Sequence, residues 1–520
     1  MSTQTSAHAV AAHLVSEPKF DAFKRIYDAG RAQVVWTRLV ADLETPVSAY
    51  LKLSHGKTMT SFLESVEGGA TRGRYSFIGI SPDIVWRASG NSAEINRSPA
   101  TAPDAFDRQA APPLTALRAL LAESRIELPS DLPPNAAGVI GYMGYDTVRL
   151  IEDLPNVKPD ELDIPDAVLV RPTIMVVFDN IKDEMIVVTP IYPVGGTTAV
   201  EAYTAAESRL RSVITALDTP TPHSALAGAD ALALPTKSSN TSPVEFTAMV
   251  ERAKDYIAAG DIFQVVLSQR FSAPFTLSPV ALYRALRRTN PSPFMFHLDF
   301  GDFAIVGSSP EILVRVRNNE VTIRPLAGTR PRGATPDEDK RLERELLADP
   351  KERAEHLMLL DLGRNDVGRV AKIGSVRVAA SFEVERYSHV MHISSTVHGA
   401  LDTTRHDAID ALMAGLPAGT LSGAPKVRAM QIIDELEKTK RGPYGGCVGY
   451  FSADGQMDTC IVLRTAIVKD GTIHVQAGAG VVADSKAADE QQECIYKSAA
   501  VFRAAEEAVR FAAQSRRGNS

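Results

Sequence analysis

The stretch SPVEFTAMVERAKDYIAAGDIFQVVLSQR, residues 242–270, carries the clearest structural signals in the chain. Ser242 and Glu245 form a capping-box pattern, Pro243 occupies the first helical position, and the apolar residues that follow have helical spacing. The apolar run at residues 262–270 is rich in valine and predicts a strand. The stretch therefore predicts a capped helix that leads almost directly into a buried strand.

Helix-start signals and apolar patterns also predict helices and strands on both sides of this stretch. Downstream, a second Ser-Pro helix start occurs at Ser278, and the apolar pattern predicts strands at residues 303–307, 312–316, 321–324, 388–397, 446–451, 459–467 and 472–477. Helices are predicted at residues 350–361, 425–438 and 487–512. Upstream, strands are predicted at residues 33–39, 75–80, 167–178 and 184–191, with helices at residues 111–124 and 200–217. Strands and helices are mixed without a regular βαβ alternation, which favours the α+β class.

One segment has the composition of a linker. Residues 218–242 are rich in Pro, Ser, Thr, Ala and Gly and show no clear period. We therefore expect an N-terminal α+β part at residues 1–217, a linker at residues 218–242 and a C-terminal part at residues 243–520.

Composition excludes several classes of protein. The 520 residues are 44% hydrophobic and 23% charged, and the formal net charge is -7 with no long basic run. These values are typical of a globular protein and disfavour binding to nucleic acid. Three cysteines without a C-x-x-C pair give neither a disulfide framework nor a cysteine zinc site. Because no apolar stretch resembles a signal peptide or a membrane span, we expect a cytoplasmic protein with no membrane partner.

Acidic residues recur on one face of two predicted helices. Glu352 and Glu355 are three residues apart, and Glu490, Glu493 and Lys497 have the spacing i, i+3 and i+7. Two carboxylate faces suit a hard cation such as Mg²⁺, which prefers oxygen ligands and retains water. Spacing alone favours two solvated helix faces over a metal site.

Histidines and glycines supply further candidates. His392 and His398 share one face of a predicted strand and His389 faces the other way, so either a single acid–base histidine or an ordinary hydrogen-bonded one fits. The glycine-rich segments at residues 325–333, 419–426 and 477–480 match no P-loop. Their backbone N–H groups could bind carboxylates, or the segments could be tight turns.

A longer set of strings is more specific than any of these patterns. The strings are SFLESVEGG (61–69), NPSPFMF (290–296), GSSPEILV (307–314), PLAGTRPRG (325–333), ERAEHLMLLDLGRNDVGRV (352–370), YSHVMH (387–392), AGTLSGAPKVRAMQIIDELE (418–437), YGGCVGYF (444–451), DTCIVLRTA (458–466), QAGAGVVADS (476–485) and E-x-x-E-x-x-x-K (490–497). Together, over residues 37–511, the chain resembles the anthranilate synthase component I family of chorismate-utilising enzymes. The resemblance implies an α+β fold of two large antiparallel sheets packed face to face, with helices on the outside.

The resemblance also implies a set of binding residues. Glu355 and Glu493 match the family's Mg²⁺ ligands, with Glu352 and Glu490 in supporting positions. The matches to the substrate pocket are Gly328, Thr329, Tyr444, Arg464, Gly478, Ala479, Gly480 and Lys497. Backbone N–H groups and a guanidinium suit a dicarboxylate such as chorismate.

The implied chemistry has two steps, in which ammonia displaces the C4 hydroxyl of chorismate by adding at C2 and pyruvate is then eliminated. Glu311 matches the family's general acid, and a carboxyl group can deliver a proton near neutral pH only if its pKa is raised. His392 matches the residue of the elimination step, where imidazole suits removal of the C2 proton. Thr329 completes the catalytic set that the resemblance implies.

Two positions separate the branches of the family. Isochorismate and salicylate synthases carry a lysine base where this chain has Gln264, and an amide cannot be that base. Aminodeoxychorismate synthases carry a lysine nucleophile where this chain has Ala327. Both differences favour anthranilate as the product, and aminodeoxychorismate synthase component I remains the alternative function.

Regulation and partners follow from the same resemblance. Leu63, Glu64 and Ser65, together with Pro293, Phe294 and Met295, resemble the family's tryptophan site for feedback inhibition, although Phe294 replaces an expected tyrosine. The chain has no Gly-flanked cysteine nucleophile with a His-Glu pair. We therefore expect glutamine to be hydrolysed by a separate amidotransferase subunit that supplies ammonia.

Overall fold

The computed structural model describes residues 14–67, 71–222, 236–387 and 390–514. The upstream part contains helices α1 Phe20–Asp28, α2 Pro46–Leu53, α3 Pro113–Glu123 and α4 Ala199–Leu217. Its strands are β1 Gln33–Val40, β2 Thr60–Glu67, β3 Thr71–Ser89, β4 Ser92–Asn96, β5 Asp107–Arg108, β6 Gly138–Met143, β7 Ala167–Asp179 and β8 Glu184–Ile191.

The downstream part begins with the short strand β9 Ser238–Ser239. Its helices are α5 Pro243–Ala258, α6 Pro279–Thr289, α7 Pro336–Ala348, α8 Pro350–Gly368, α9 Ala408–Gly415, α10 Lys426–Leu436 and α11 Ala487–Gln514. Its further strands are β10 Gln264–Pro274, β11 Phe294–Asp299, β12 Phe303–Ser309, β13 Ile312–Arg317, β14 Glu320–Ile323, β15 Leu326–Pro331, β16 Arg377–Arg386, β17 Val390–Ala400, β18 Gly423–Ala424, β19 Cys447–Ser452, β20 Met457–Ile461, β21 Thr465–Lys469 and β22 Thr472–Val481.

The strands form two antiparallel runs that share the long strands β3 and β7. The first run has the order β1-β8-β7-β3-β2-β11-β12-β21-β22-β10. The second has the order β4-β3-β7-β6-β19-β20-β13-β14-β17. Strand β3 passes from one run to the other at Ser81, whose φ is 52°, and at Pro82, which faces Pro172. Proline has no N–H to donate, so the ladder is interrupted where the strands change partners.

The two runs pack face to face around a shared apolar layer. One cluster contains Val188, Phe296 and Ile305 from the first run and Tyr142 and Val448 from the second. Helices α4, α6 and α11 contact strands of the first run, and α8 and α9 contact strands of the second. The α+β class with two large antiparallel sheets and outer helices is therefore confirmed.

The opening stretch folds as its pattern predicts. The side chain of Ser242 accepts a hydrogen bond from the backbone of Glu245, and α5 begins at Pro243. The helix predicted to end at residue 361 extends to Gly368, so that Gly363 lies inside it. Strand β16 and helix α7 have no counterpart among the predicted elements. Among the described ranges, no helix is long and apolar enough to cross a membrane.

The predicted linker falls mostly on residues 223–235, which lie outside the described residues. Helix α4 ends at Leu217 and α5 begins at Pro243. Strands from the two sides of the linker pair with each other, β2 with β11 and β6 with β19. The division into two parts stays a prediction.

A buried ion pair lies between strand β10, the end of α10 and the turn at residues 419–421. Arg441 donates from Nε to Glu437 Oε2 over 2.9 Å and from Nη2 to Glu437 Oε1 over 2.5 Å, and both side chains are almost fully buried. The same guanidinium donates to the carbonyl oxygens of Leu421 and Val266, each over 2.7 Å. Glu437 Oε1 also accepts from the backbone N–H of Ser268 over 2.7 Å. The pair thereby connects β10, the end of α10 and the glycine-rich turn at residues 419–421.

We predict that Arg441→Met destabilises the protein by about 3–5 kcal/mol, because the substitution leaves the Glu437 carboxylate buried without its partner. The free energy of unfolding in urea measures this effect. The matched control is Arg341→Met, which removes the exposed Arg341–Glu345 pair and should cost less than about 1 kcal/mol. Equal losses in the two variants would contradict the structural role of the buried pair.

Candidate active site

The first carboxylate pair lies on α8. Glu352 Oε1 accepts a hydrogen bond from Arg330 Nη1 over 3.0 Å, and Arg330 also donates to Asp349 over 2.7 Å. One turn further along, Glu355 Oε1 accepts from Gln264 Nε2 over 3.4 Å. Glu352 therefore has a cation beside it, whereas the partner of Glu355 is a neutral amide.

The second pair lies on α11, together with a lysine. Lys497 Nζ is 2.7 Å from Glu493 Oε1 and donates to the carbonyl oxygen of Gly478 over 2.9 Å. Glu490 is buried one turn before Glu493. Lys497 contacts Glu493 on the same helix, in agreement with the shared face that the spacing predicts, and it also connects α11 to β22.

The acidic faces of α8 and α11 act on each other. Burial raises the pKa of Glu355, and the negative charges of Glu352 and Glu493 raise it further. Burial and the charge of Glu493 also raise the pKa of Glu490. Since each carboxylate makes its neighbour harder to ionise, a bound cation would relieve the repulsion.

The described residues contain no group of three or more His, Cys, Asp or Glu side chains arranged to hold a metal ion. A complete protein cage is therefore not formed there. Glu355 and Glu493 instead offer one oxygen-bearing side chain from each helix. This sparse set of hard ligands fits Mg²⁺, which commonly uses one or two carboxylates and completes its shell with water and substrate oxygens.

The glycine-rich strand β22 presents backbone to the same region. β21 pairs with β22 only as far as Val475, so residues 478–480 have β10 on one side only. A Cβ atom added at Gly478 would lie 2.9 Å from Tyr444 Oη, and one at Gly480 would lie 2.5 Å from Gln264 Nε2. Glycine is therefore required for the close approach of these side chains to the strand.

Arg464 is held in an unusual conformation in the segment between β20 and β21. Its φ of 51° lies in the left-handed region, which costs a non-glycine residue of order 1–3 kcal/mol and is concentrated at functional sites. Burial lowers the pKa of its guanidinium, and Tyr387 and Glu311 oppose that shift. Within the described part of the chain, the guanidinium makes no hydrogen bond or ion pair, so its donors are available to an anion.

His392 lies on β17 with its ring tautomer fixed by the backbone. Nδ1 is 2.9 Å from the carbonyl oxygen of Gly328, which only accepts, so Nδ1 carries the proton. Thr329 Oγ1 lies 3.1 Å from the same nitrogen. Burial lowers the pKa of His392 to about 4, and the positive charge of Arg464 adds to this effect. Nε2 has no hydrogen-bond partner among the described residues. Because Nδ1 carries the proton, Nε2 carries the lone pair of the neutral imidazole and can act as a base.

Glu311 lies between β12 and β13. Unlike Nε2 of His392, which is unprotonated, its carboxyl group is protonated. Burial raises the pKa of its carboxyl to about 8, so it holds a proton at neutral pH. Its Oε1 accepts from the backbone N–H of Leu326 over 3.2 Å and from Thr420 Oγ1 over 3.2 Å. The site therefore contains a carboxylic acid and a neutral imidazole, an arrangement that can give one proton and remove another.

The structure brings the predicted active-site residues together through a chain of contacts. Gly328 connects His392 to α8, since an added Cβ there would lie 3.0 Å from Glu352 Oε2. Sequence reasoning missed Thr420 and Arg330, which bond to Glu311 and Glu352. Arg330 and Thr420 lie in the glycine-rich segments at residues 325–333 and 419–426. A polar side chain beside these glycines is the sequence signal that could have identified them. His398 is excluded from the site because it bonds to Thr322 on β14.

The residues of the predicted inhibitor site line a separate cavity of about 640 Å³. Strands β2 and β11 pair side by side, so that Glu64 faces Met295. The cavity is lined by Leu63, Glu64, Ser65, Pro293, Phe294 and Met295, among others. Glu64 is bound by Arg287 Nε over 2.6 Å and is therefore already neutralised. The two segments, more than two hundred residues apart in sequence, thus form one wall.

Comparisons with known proteins agree with this geometry. The family of chorismate binding enzymes matches residues 81–503. The chain is similar to anthranilate synthase component 1 of Cereibacter sphaeroides, with 56% identity over 96% of this chain and 99% of that protein. Anthranilate synthase component 1 of Pseudomonas putida is 48% identical over 89% of this chain and 93% of that protein.

Solved structures give the same result. Anthranilate synthase component I of Streptococcus pneumoniae aligns with a TM-score of 0.72 and 39% identity, over 83% of this chain and 92% of that one. The menaquinone-specific isochorismate synthase of Escherichia coli aligns with a TM-score of 0.68 at 18% identity, over 94% and 98% of the two chains, and shows a shared fold. On the match of residues 81–503 and on relatives aligned over nearly its whole length, the chain belongs to the chorismate-binding enzymes, in the anthranilate synthase component I family.

Proposed function

We propose that this chorismate-converting enzyme makes anthranilate and pyruvate from chorismate and ammonia, as the large subunit of an anthranilate synthase in tryptophan biosynthesis. The observation that carries the proposal is the pairing of a protonated acid with a neutral base in one site. Burial holds the pKa of Glu311 near 8 and that of His392 near 4. The two proton transfers of the reaction require these two states.

Substrate binding can be assigned to the cationic side chains and backbone N–H groups of the site. Chorismate carries two carboxylates, and Arg464 offers a guanidinium without an anionic partner in the described chain. The half-paired edge at residues 478–480 offers backbone N–H groups, with Tyr444 beside it. Lys497 adds a positive charge at the same strand. We assign one chorismate carboxylate to this basic side of the site.

Magnesium accounts for the acidic side. Glu355 and Glu493 would hold the ion, with Glu352 and Glu490 next to them as supporting residues. When bound, Mg²⁺ supplies charge neutralisation for a substrate carboxylate and for the glutamates themselves. Gln264 keeps its amide on Glu355, where it orients the carboxylate without competing for the cation.

In the amination step, Glu311 donates its proton to the departing C4 hydroxyl. The backbone N–H of Leu326 donates to Oε1, and Thr420 Oγ1 lies 3.2 Å from Oε1 and 3.3 Å from Oε2. We assign the proton to Oε2, which accepts no backbone N–H within the described chain. Ammonia adds at C2 of the ring. The acid form of Glu311 exists at neutral pH because the carboxyl is buried.

In the elimination step, His392 removes the proton from C2 as pyruvate leaves. Gly328 holds the ring by accepting from Nδ1, and Thr329 contacts the same nitrogen. Because burial lowers the pKa of His392 to about 4, Nε2 is unprotonated at neutral pH and can accept the C2 proton. Ala327, which is buried on β15, carries no nucleophile, and this disfavours the aminodeoxychorismate synthase alternative.

The ammonia comes from a separate glutamine amidotransferase subunit. Cys447, Cys460 and Cys494 are the three cysteines of the chain and all are buried. Burial raises the pKa of Cys447 and of Cys494 to about 12, so neither forms the thiolate that glutamine hydrolysis needs. The chain alone should therefore use free ammonia and not glutamine.

The function is tested by mixing the purified chain with chorismate, Mg²⁺ and ammonium at alkaline pH and identifying the products by mass. Anthranilate with one equivalent of pyruvate is the expected result. An aminated product that retains the pyruvyl group would instead support aminodeoxychorismate synthase, and unconsumed chorismate would refute both functions.

We predict that Glu355→Gln and Glu493→Gln each lower Mg²⁺-dependent turnover by about 100-fold or more, because each removes a charged ligand while keeping its size. Independently of activity, Mg²⁺ should raise the melting temperature of the wild type and not of these variants. Glu345→Gln, on the exposed face of α7, is the matched control and should behave as wild type. Wild-type turnover in both site variants would rule out the metal assignment.

We predict that His392→Gln leaves amination intact and slows elimination by about 100-fold or more, because glutamine cannot accept the C2 proton. The aminated intermediate that still carries pyruvate should accumulate and be visible by mass. His398→Gln, on the same strand face but bonded to Thr322, is the control and should accumulate none. If chorismate remains unconsumed in the first variant, the division of labour between Glu311 and His392 is wrong.

Tryptophan inhibition is proposed for the 640 Å³ cavity. Ser65 can bond the polar end of a free amino acid, and Pro293, Phe294 and Met295 can flank an indole. The same cavity is lined by Leu326, whose N–H bonds to Glu311, and by Tyr387, whose ring centroid is 5.6 Å from that of His392. An occupant of the cavity would therefore contact two residues that touch the catalytic groups.

We predict that Ser65→Arg abolishes tryptophan inhibition while uninhibited turnover stays near the wild-type value, because the long cation fills the cavity. Ser212→Arg, on the exposed face of α4, adds the same charge elsewhere and should remain inhibited. Inhibition curves at fixed chorismate measure both variants. Linkage further requires chorismate to weaken tryptophan binding by the factor with which tryptophan weakens chorismate. Full sensitivity of the Ser65 variant would place the inhibitor site elsewhere.

A further inference from the structure

A second, much smaller cavity adjoins Glu311. Its volume is about 20 Å³, which is room for one water molecule. Glu311 and Thr420 contribute to its wall, and so does Asp366 from α8. The rest of the lining is largely apolar and includes Leu359 and Ile323. Neither the substrate-binding residues nor the metal-binding glutamates assigned above line this cavity.

Asp366, which lines the cavity, has one side-chain oxygen without a hydrogen-bond partner in the described part of the chain. The residue is 4% exposed, and its Oδ2 accepts a hydrogen bond from Lys426 Nζ over 2.8 Å. Its Oδ1 is buried and has no hydrogen-bond partner among the described residues. A water molecule in the cavity would supply that partner, since a buried polar atom without one is costly. Lys426 keeps 11% of its side chain exposed and so connects the pair to solvent.

Glu311 must be reprotonated after each turnover. Under the proposed function, the carboxyl group loses its proton to the leaving hydroxyl in every turnover and must regain one. Its Oε1 is occupied by the donors Leu326 and Thr420, neither of which is an acid. A water molecule in the cavity, together with Asp366, would provide a route for the proton that does not pass through the substrate.

We propose that Asp366 is a positioning and relay residue, which returns a proton to Glu311 through one water molecule in this cavity. Asp366 in its acid form carries the proton on Oδ1, because Oδ2 accepts from Lys426. The water takes this proton and gives one of its own to the Glu311 carboxylate, so that its composition is unchanged. The carboxylate left on Asp366 pairs with the Lys426 ammonium and regains a proton from solvent. This inference rests on the proposed function.

The surrounding charges are compatible with the relay. Burial raises the pKa of Asp366, which Lys426 and Arg369 oppose. Burial also raises the pKa of Glu311, where Arg464 acts against the shift and Glu385 adds to it. Both groups therefore exchange protons at less acidic pH than free carboxyls, which makes a transfer between them feasible.

The cavity can be filled without changing a charge. A Cβ atom added at Gly363, which lines the cavity, would contact Ile323 at 3.5 Å and would clash with nothing. Gly363→Ala should therefore displace the water while α8 stays intact. Gly368→Ala on the same helix is the matched control, because its added Cβ meets no atom within 4 Å. Asp366→Asn tests the relay group itself.

The test compares the first turnover with steady-state turnover of chorismate and ammonia in rapid-quench experiments. Gly363→Ala and Asp366→Asn should release the first anthranilate per chain at the wild-type rate and then slow by about tenfold or more, with kcat/KM unchanged because only a step after product formation is slowed. Gly368→Ala should match the wild type throughout. Equal slowing of the first and later turnovers would overturn the relay, and so would wild-type steady-state rates in Gly363→Ala. If the wild type itself makes no anthranilate, the proposed function fails first and the two failures are distinguished.

Discussion

The buried pair of Arg441 and Glu437 is the interaction on which the rest of the site depends. Removing two charges from water costs several kcal/mol per ion, and only complete hydrogen bonding offsets that cost. Here the guanidinium bonds to Glu437 and to two backbone carbonyls, and Glu437 in turn accepts from Ser268 on β10. The rings of Tyr145 and Tyr444 lie against the guanidinium at 4.7 and 5.6 Å.

The Arg441–Glu437 pair positions backbone segments that lead to the candidate active site. It holds Val266 on β10, and β10 holds the glycine edge of β22 by continuous pairing. It also holds Leu421, next to the threonine that bonds to Glu311. The strand edge that we propose binds the substrate and the proposed acid Glu311 are thus both connected to one guanidinium, whereas His392 is positioned separately by β15 and β17.

Much of the fold could be predicted from local signals. The capping box at Ser242 and the apolar runs of β7 and β8 gave the correct elements because each depends on neighbours in sequence. Strand β16 was missed because its burial pattern is largely exposed and does not alternate clearly. The passage of β3 between two sheets at Ser81 depends on pairing with residues about ninety positions away, which no local pattern encodes.

In the candidate active site, too, some features follow from local sequence and others depend on residues far apart in the chain. The glutamates of α8 and α11 were visible as a repeated spacing, and the family strings supplied His392, Glu311 and Arg464. The bond from Thr420 to Glu311 joins residues 109 positions apart and could be found only in three dimensions. The protonation states were also inaccessible, since they result from burial that the sequence does not measure.

We propose that Arg464 with the backbone of residues 478–480 binds one end of chorismate, and that the glutamates of α8 and α11 bind the other end through a cation. The most direct test is a crystal structure of the His392→Gln variant with chorismate and Mg²⁺. We expect one substrate carboxylate on Arg464 and the backbone of residues 478–480, and a cation bound by Glu355 and Glu493. Chorismate bound in the 640 Å³ cavity, or a cation bound away from both helices, would contradict it.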